Sequence, residues 1–153
     1  MREERITSRK NPLVQQVKKL LSSRKAREEA GLFVADGTKL LLEAVRYFPG
    51  LETVILSDGV EASLPEHVRL VRVPGDVMAS ISPMESPQGA LFICRLPEKE
   101  QFVPRGGCLL LDGIQDPGNL GTILRTADAL DIPVVLLEGC ADPYSHKVVR
   151  ASM

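Results

Sequence analysis

Asn119 and Arg125 stand six residues apart in LLLDGIQDPGNLGTILRTADAL, residues 109–130. A wholly apolar run stops there at a loop holding Pro117, Gly118 and Gly121, and an amphipathic pattern follows. A guanidinium stays protonated and presents a rigid fork of donors, so it grips phosphate or an oxyanion better than it removes a proton. Asparagine offers a donor and an acceptor on a short stem. Farther on, Lys147 and Arg150 add two cations in DPYSHKVVRASM. Those residue types suit an anion.

Plainer readings of the same residues stand beside this one. Any strand–helix unit needs a turn, and proline and glycine build turns. That accounts for the loop but not for Arg125, which the positive end of a helix mildly disfavours. Dinucleotide binding is a second reading, because Glu138 lies twenty residues after Gly118, near the place of a ribose-binding acid. Against it, GNLG lacks the third glycine of GxGxxG, and Asn119 stands where bare backbone should approach a pyrophosphate. Asn119 also reads as the N-cap of a helix over 119–130. Lys147 and Arg150 also read as a solvated helix end, and His146, between polar neighbours, as a surface residue.

The elements that must carry these residues follow from the apolar spacing. NPLVQQVKKLLSS (11–23) places Leu13, Val17, Leu20 and Leu21 at helical spacing, with Asn11 as N-cap and Pro12 in the first helical position. KAREEAG continues as a short helix ending at Gly31. LFVAD, ETVILSD, VRLVRVP and ALFICRL read as strands, and GTKLLLEAVRYF and GDVMASIS as helices. The alternation predicts an α/β domain over 1–96. PEKEQFVPRGG (97–107) reads as a linker. Strand CLLLDGI, helix 119–130 and strand PVVLLEG then form one βαβ unit in a domain over 108–153. Its strands are apolar on both faces, the mark of a parallel sheet covered on both sides. Two strands and a helix cannot supply that cover, so the domain is expected to be incomplete.

Composition limits the class. With 153 residues, 44% apolar and 25% charged, the chain has the proportions of a soluble globular protein. No run approaches the length of a membrane span, and MREERITSRKNP lacks a signal peptide's apolar stretch, so the cytoplasm is the expected compartment. Cys94, Cys108 and Cys140 are odd in number, far apart and in apolar settings. They read as reduced core thiols, with no spacing that suggests a metal. The net charge of -1 hides an asymmetry, since residues 1–30 carry nine Lys/Arg against four Glu. A basic segment on an acidic body is either a phosphate-backbone contact or a solvated helix face.

DPGNLGTILRTADAL followed by DPYSHKVVRASM resembles the first signature block of the SpoU-type (TrmH-like) RNA ribose methyltransferases of the SPOUT superfamily. Asn119, Gly121 and Arg125 meet its Asn-x-Gly-x-x-x-Arg pattern, and Lys147, Val148, Arg150 and Ser152 meet Lys-Val-x-Arg-x-Ser. NPLVQQVKKL, FVADGTKLLLEAV and SPQGALF resemble the accessory domain of the family's larger members, a fold like that of ribosomal protein L30e. Asp36 departs from the pattern, standing where the family usually has Glu.

The resemblance implies an L30e-like α/β sandwich followed by an incomplete parallel α/β SPOUT domain. It also implies transfer of a methyl group from S-adenosylmethionine to a ribose 2'-OH of rRNA or tRNA, by a protein that is usually a homodimer. Arg125 and Asn119 become the expected catalytic residues. Arg9, Lys10, Lys18, Lys19, Arg24, Lys25, Arg27, Lys147 and Arg150 become the expected RNA contacts. In the family the cofactor is held by later signature blocks that form a knot, so its residues are expected beyond 153, and the chain alone is expected to be inactive. The rival functions are a non-enzymatic RNA-binding protein acting through 1–96 and a fragment of a nucleotide-binding oxidoreductase.

Overall fold

The computed structural model describes residues 3–98 and 106–153. Arg2 and the middle of the expected linker, residues 99–105, lie outside the described residues. The chain divides into two compact units, Met1–Leu96 and Pro97–Met153.

In chain order the first unit runs β1 (Glu3–Arg5), α1 (Pro12–Ser22), α2 (Arg24–Ala30), β2 (Leu32–Asp36), α3 (Thr38–Tyr47), β3 (Leu51–Ser57), β4 (Arg69–Val73), α4 (Gly75–Ile81) and β5 (Ala90–Arg95). The strands form one sheet in the order β1-β4-β3-β5-β2. β1, β4 and β3 are parallel, and β5 runs against both of its neighbours. Side chains alternate across a strand, so each apolar strand feeds two cores. Val34, Ile55, Val71 and Ile93 face α1 and α4, whose Val14, Val17, Leu20, Val77 and Met78 complete the larger core. The alternate residues Phe33, Val54, Leu70 and Phe92 are also buried, and α3 packs on β2 and β5.

Local chemistry starts and stops these helices as the residue types direct. Asn11 Oδ1 accepts from the Leu13 amide at 2.9 Å, and Pro12 supplies the first residue of α1. Ser23 ends α1 and caps α2 by accepting from the Ala26 amide at 3.1 Å. Gly37, at φ 114, precedes α3 and has no side chain to cap it. Gln88 does so from across the sheet, its Oε1 accepting from the Thr38 amide at 3.1 Å. The segments VADGT and SPQG therefore meet in space.

Arg27 corrects one expected RNA contact. It is buried, and its Nη1 donates to the Leu20 carbonyl in the last turn of α1 at 2.6 Å. A cation there satisfies helix-end carbonyls and favours the negative end of the dipole. The thiols follow expectation in part. Cys94 is buried, and burial pushes its pKa up to about 12, whereas Cys108 and Cys140 are only partly covered.

β1 is the strand that periodicity does not signal, because Glu3, Glu4 and Arg5 are all charged and exposed. Arg5 pairs with Asp58 at 2.8 Å, Glu4 with Arg69 at 2.5 Å and Glu3 with Arg72 at 3.2 Å. Exposed pairs contribute little against solvent screening. Ile6 follows immediately, is 4% exposed and joins the larger core. Apolar burial at Ile6 therefore holds this edge more strongly than charge does. Ile6→Ala is expected to cost about 2–5 kcal/mol in denaturant unfolding, and Glu4→Ala less than about 1 kcal/mol. Equal costs would show that the ion pairs dominate.

Within the second unit, β6 (Leu109–Leu111), α5 (Pro117–Ala129), β7 (Val134–Leu136) and α6 (His146–Ala151) follow in turn. β6 and β7 are parallel, with Leu109 opposite Val134 and Leu111 opposite Leu136. Leu111, Leu120 and Val148 make the core, with Ile114, Ile123, Leu124 and Leu136 around it. Leu110 lies on the opposite face and is 60% exposed. Among the described residues no helix is long and apolar enough to cross a membrane.

Candidate functional site

The glycine-cornered loop turns into α5 earlier than the sequence pattern suggests. Asp116 Oδ1 accepts from the Asn119 amide at 2.7 Å, and Pro117 takes the first helical position. Asp116 is therefore the N-cap, and the helix begins at Pro117, not at 119. Both residue types cap well, but a proline immediately after Asp116 favours that register. Sequence reasoning missed Asp116 although the Asp-Pro pair signalled it.

Asn119 is consequently released from capping. Its side chain is exposed and makes no hydrogen bond among the described residues. At about 100° per residue, Arg125 stands about 120° around α5 from Asn119. Consistent with that angle, no bond joins the two among the described residues. Arg125 is exposed and has neither a hydrogen bond nor an ion pair among the described residues. Its guanidinium is open to an incoming anion.

Gly121 has a different task. A Cβ there would lie 2.5 Å from Ala151 Cβ and 2.7 Å from the Val148 carbonyl oxygen. Helix α6 thus crosses α5 directly over this residue. Ser145 caps α6, and Ser152 closes it by donating to the Val149 carbonyl at 2.8 Å. Lys147 is exposed on α6, and Arg150 is half-buried. Asp142 Oδ1 accepts from the Tyr144 amide at 3.0 Å just before the helix. Burial, and next Asp142, push the Tyr144 phenol above its ordinary pKa. His146 is half-buried, with its Nδ1 enclosed, and is not the surface histidine that its neighbours suggested.

The basic segment of the first unit separates by environment. Arg9 pairs with Asp76 at 3.3 Å, Arg24 with Glu28 at 3.0 Å and Lys25 with Glu29 at 3.7 Å. Lys10, Lys18 and Lys19 have no such partner among the described residues. They are the uncompensated cations of the set, and Arg27 leaves it by burial. A polar cavity of about 430 Å³ also lies in this unit, lined by Thr53, His67, Glu52 and Arg95, the last two paired with each other.

A parallel β–α–β unit with polar side chains on two crossing helices makes the second unit an α/β domain. The rest comes from comparison. Residues 11–91 match the MRM3-like substrate binding domain, and residues 107–153 match the SpoU rRNA Methylase family. The chain belongs to the SpoU methylase family, with that substrate-binding domain ahead of the methylase segment.

A 23S rRNA (guanosine(2553)-2'-O)-methyltransferase of Bacillus subtilis is 33% identical, over 97% of this chain and 60% of that protein. The human mitochondrial rRNA methyltransferase 3 is 31% identical, over 88% of this chain and 35% of that protein. The AdoMet-bound rRNA methyltransferase of Sinorhizobium meliloti superposes with a TM-score of 0.82 at 29% identity, over 99% of this chain and 60% of that one. The chain thus spans about 60% or less of the relatives named here.

Removing the cap tests how the loop is held. Asp116→Ala is expected to destabilise the start of α5 by about 0.5–2 kcal/mol. The amide of Asn119 should then exchange with solvent faster, read by hydrogen exchange. Unchanged protection there would show that another group holds the turn.

Proposed function

We propose that the protein methylates a ribose 2'-OH of RNA, with S-adenosylmethionine as methyl donor. Membership of the SpoU family and the AdoMet-bound relative support the donor. The observation that carries the acceptor side is the exposed, uncommitted guanidinium of Arg125 on α5. The cavity found in the second unit, about 570 Å³, does not fit the cofactor. Leu109, Ile123, Leu130 and Ile132 line it with two threonine hydroxyls, and it offers nothing for the donor's charged groups. The chemistry below concerns the acceptor alone.

A ribose hydroxyl is scarcely ionised at neutral pH, so catalysis must favour the oxygen as it loses its proton. Arg125 stays protonated and does not take that proton. Its fork can bind the adjoining phosphate and donate to the developing alkoxide, which fixes the sugar and lowers the energy of the charge. Asn119, in the first turn of α5, would hydrogen-bond the RNA from another side of the helix. Lys147 and Arg150 add phosphate contacts, and Lys10, Lys18, Lys19, Arg9, Arg24 and Lys25 form a second, graded set on the first unit. A homodimer agrees with the exposed Leu109, Leu110, Leu130 and Leu137, which leave apolar surface for a partner.

Arg125→Ala in the intact protein should lower methyl transfer to total RNA about 10²–10³-fold, the usual effect of deleting one oxyanion donor. The Kd for RNA should change only a few-fold. Loss of binding with unchanged turnover on bound RNA would contradict the role. Unchanged methyl transfer would remove Arg125 from the chemical step, whereas no methyl transfer by the wild type would favour the rival reading, RNA binding without chemistry, which the self-contained core of the first unit also allows.

The charge sorting makes a separate claim about affinity. Lys10→Ala, Lys18→Ala and Lys19→Ala should each weaken RNA binding and reduce the salt slope of log K by about 0.7–0.9. Lys25→Ala, whose charge is already paired, should change the slope less. Equal slopes for all four would remove the sorting.

A further inference from the structure

We propose that Gly121 is a positioning residue for Arg125, acting through the depth at which α6 seats on α5; this rests on the acceptor role given to Arg125 above. Glycine is a poor choice inside a helix, where it gives up propensity relative to alanine. Gly121 is the fifth residue of α5, well inside its hydrogen-bonded body. Packing gives the reason. A Cβ at this position would stand 2.5 Å from Ala151 Cβ, 2.7 Å from the Val148 oxygen and 2.9 Å from the Ala151 carbonyl carbon. Two of those three atoms are backbone, so no rotamer change relieves the contact. The whole of α6 would have to retreat.

Carbon atoms rest about 3.5–4.0 Å apart, so the retreat is on the order of 1 Å. Arg125 lies one turn beyond Gly121 and about 40° around the helix. Its neighbour Leu124 packs against the core that holds Val148. Lifting α6 moves Lys147 and Arg150 relative to Arg125, because both ride on α6. A misplacement of about 1 Å at a reacting group can cost about 10²-fold in rate. The close crossing sets geometry for the chemical step, and the glycine is what permits it.

The test uses the intact protein with Gly121→Ala, Ala151→Val and, as a control, Gly118→Ala. The first two crowd the crossing from opposite helices. Gly118 meets only the Asp116 carboxylate, at 3.2 Å, and lies away from α6. Circular dichroism and melting establish that each variant is folded, and kcat and KM for RNA are then measured beside Arg125→Ala. The expected result is a fall in kcat of about 100-fold for Gly121→Ala, with KM for RNA within about threefold of wild type. Ala151→Val should move the same way, and Gly118→Ala should keep kcat. Should Gly121→Ala fail to fold, Ala151→Val decides alone.

Retained kcat in the crowding variants, while Arg125→Ala loses it, overturns the positioning role and leaves Arg125 its part. A raised KM with unchanged kcat also overturns it, since the crossing would then serve binding only. An equal loss in Gly118→Ala overturns it as a generic helix effect. Normal turnover in Arg125→Ala, or none in wild type, sinks the parent reading instead.

Discussion

Leu111, Leu120 and Val148 are buried together where β6, α5 and α6 meet, and the candidate site depends on that contact. It decides which sides of two helices are spent on folding. On α5 it takes Leu120 and, through the close approach of α6, Gly121. On α6 it takes Val148, which leaves Lys147 exposed. Asn119 and Arg125 fall outside the apolar cluster and face solvent. The small core therefore presents polar groups by occupying the alternatives to them.

The first unit handles charge differently. Its early cations look alike in a sequence, yet folding separates those between Lys10 and Arg27 into three environments. Arg27 is consumed by the end of α1, where a buried cation meets free carbonyls. Arg24 and Lys25 face glutamates one turn along α2, a spacing that neutralises charge on a helix surface. Lys10, Lys18 and Lys19 keep theirs. Long-range attraction of a polyanion depends on net local charge, so the last group outweighs its number.

Much of this was legible because apolar spacing and caps are local signals. Asn11-Pro12 fixed the start of α1, and the alternation of strand and helix patterns marked the first unit as an α/β domain. β1 was not legible. A three-residue charged strand carries no period, and it forms because Ile6 is drawn into a distant core. The burial of Arg27 was hidden for a related reason, since only the angle between α1 and α2 brings it to the Leu20 carbonyl. At the site, the spacing of Asn119 and Arg125 was visible but their faces were not. Those depended on a helix start two residues earlier than expected. Gln88 could not be foreseen as the cap of α3, because its partner is fifty residues away.

The earlier helix start also changes what Arg125 signifies. Counted from Pro117 it is the ninth residue of α5, beyond the first turn, so the positive helix end no longer opposes it. The pattern Asn-x-Gly-x-x-x-Arg then separates into parts with different needs. Gly121 is required for the close crossing of α5 and α6, because a Cβ there would meet the backbone of α6. Asn119 is not required, because Asp116 already caps the helix and only the backbone amide of Asn119 is used. Arg125 is not required either, since the described structure gives its guanidinium no partner. A side chain that folding does not use, held on a helix whose placement folding fixes tightly, is suited to a ligand. For a permanent cation with a planar fork of donors, that ligand is an oxyanion, and a phosphodiester beside a ribose supplies one.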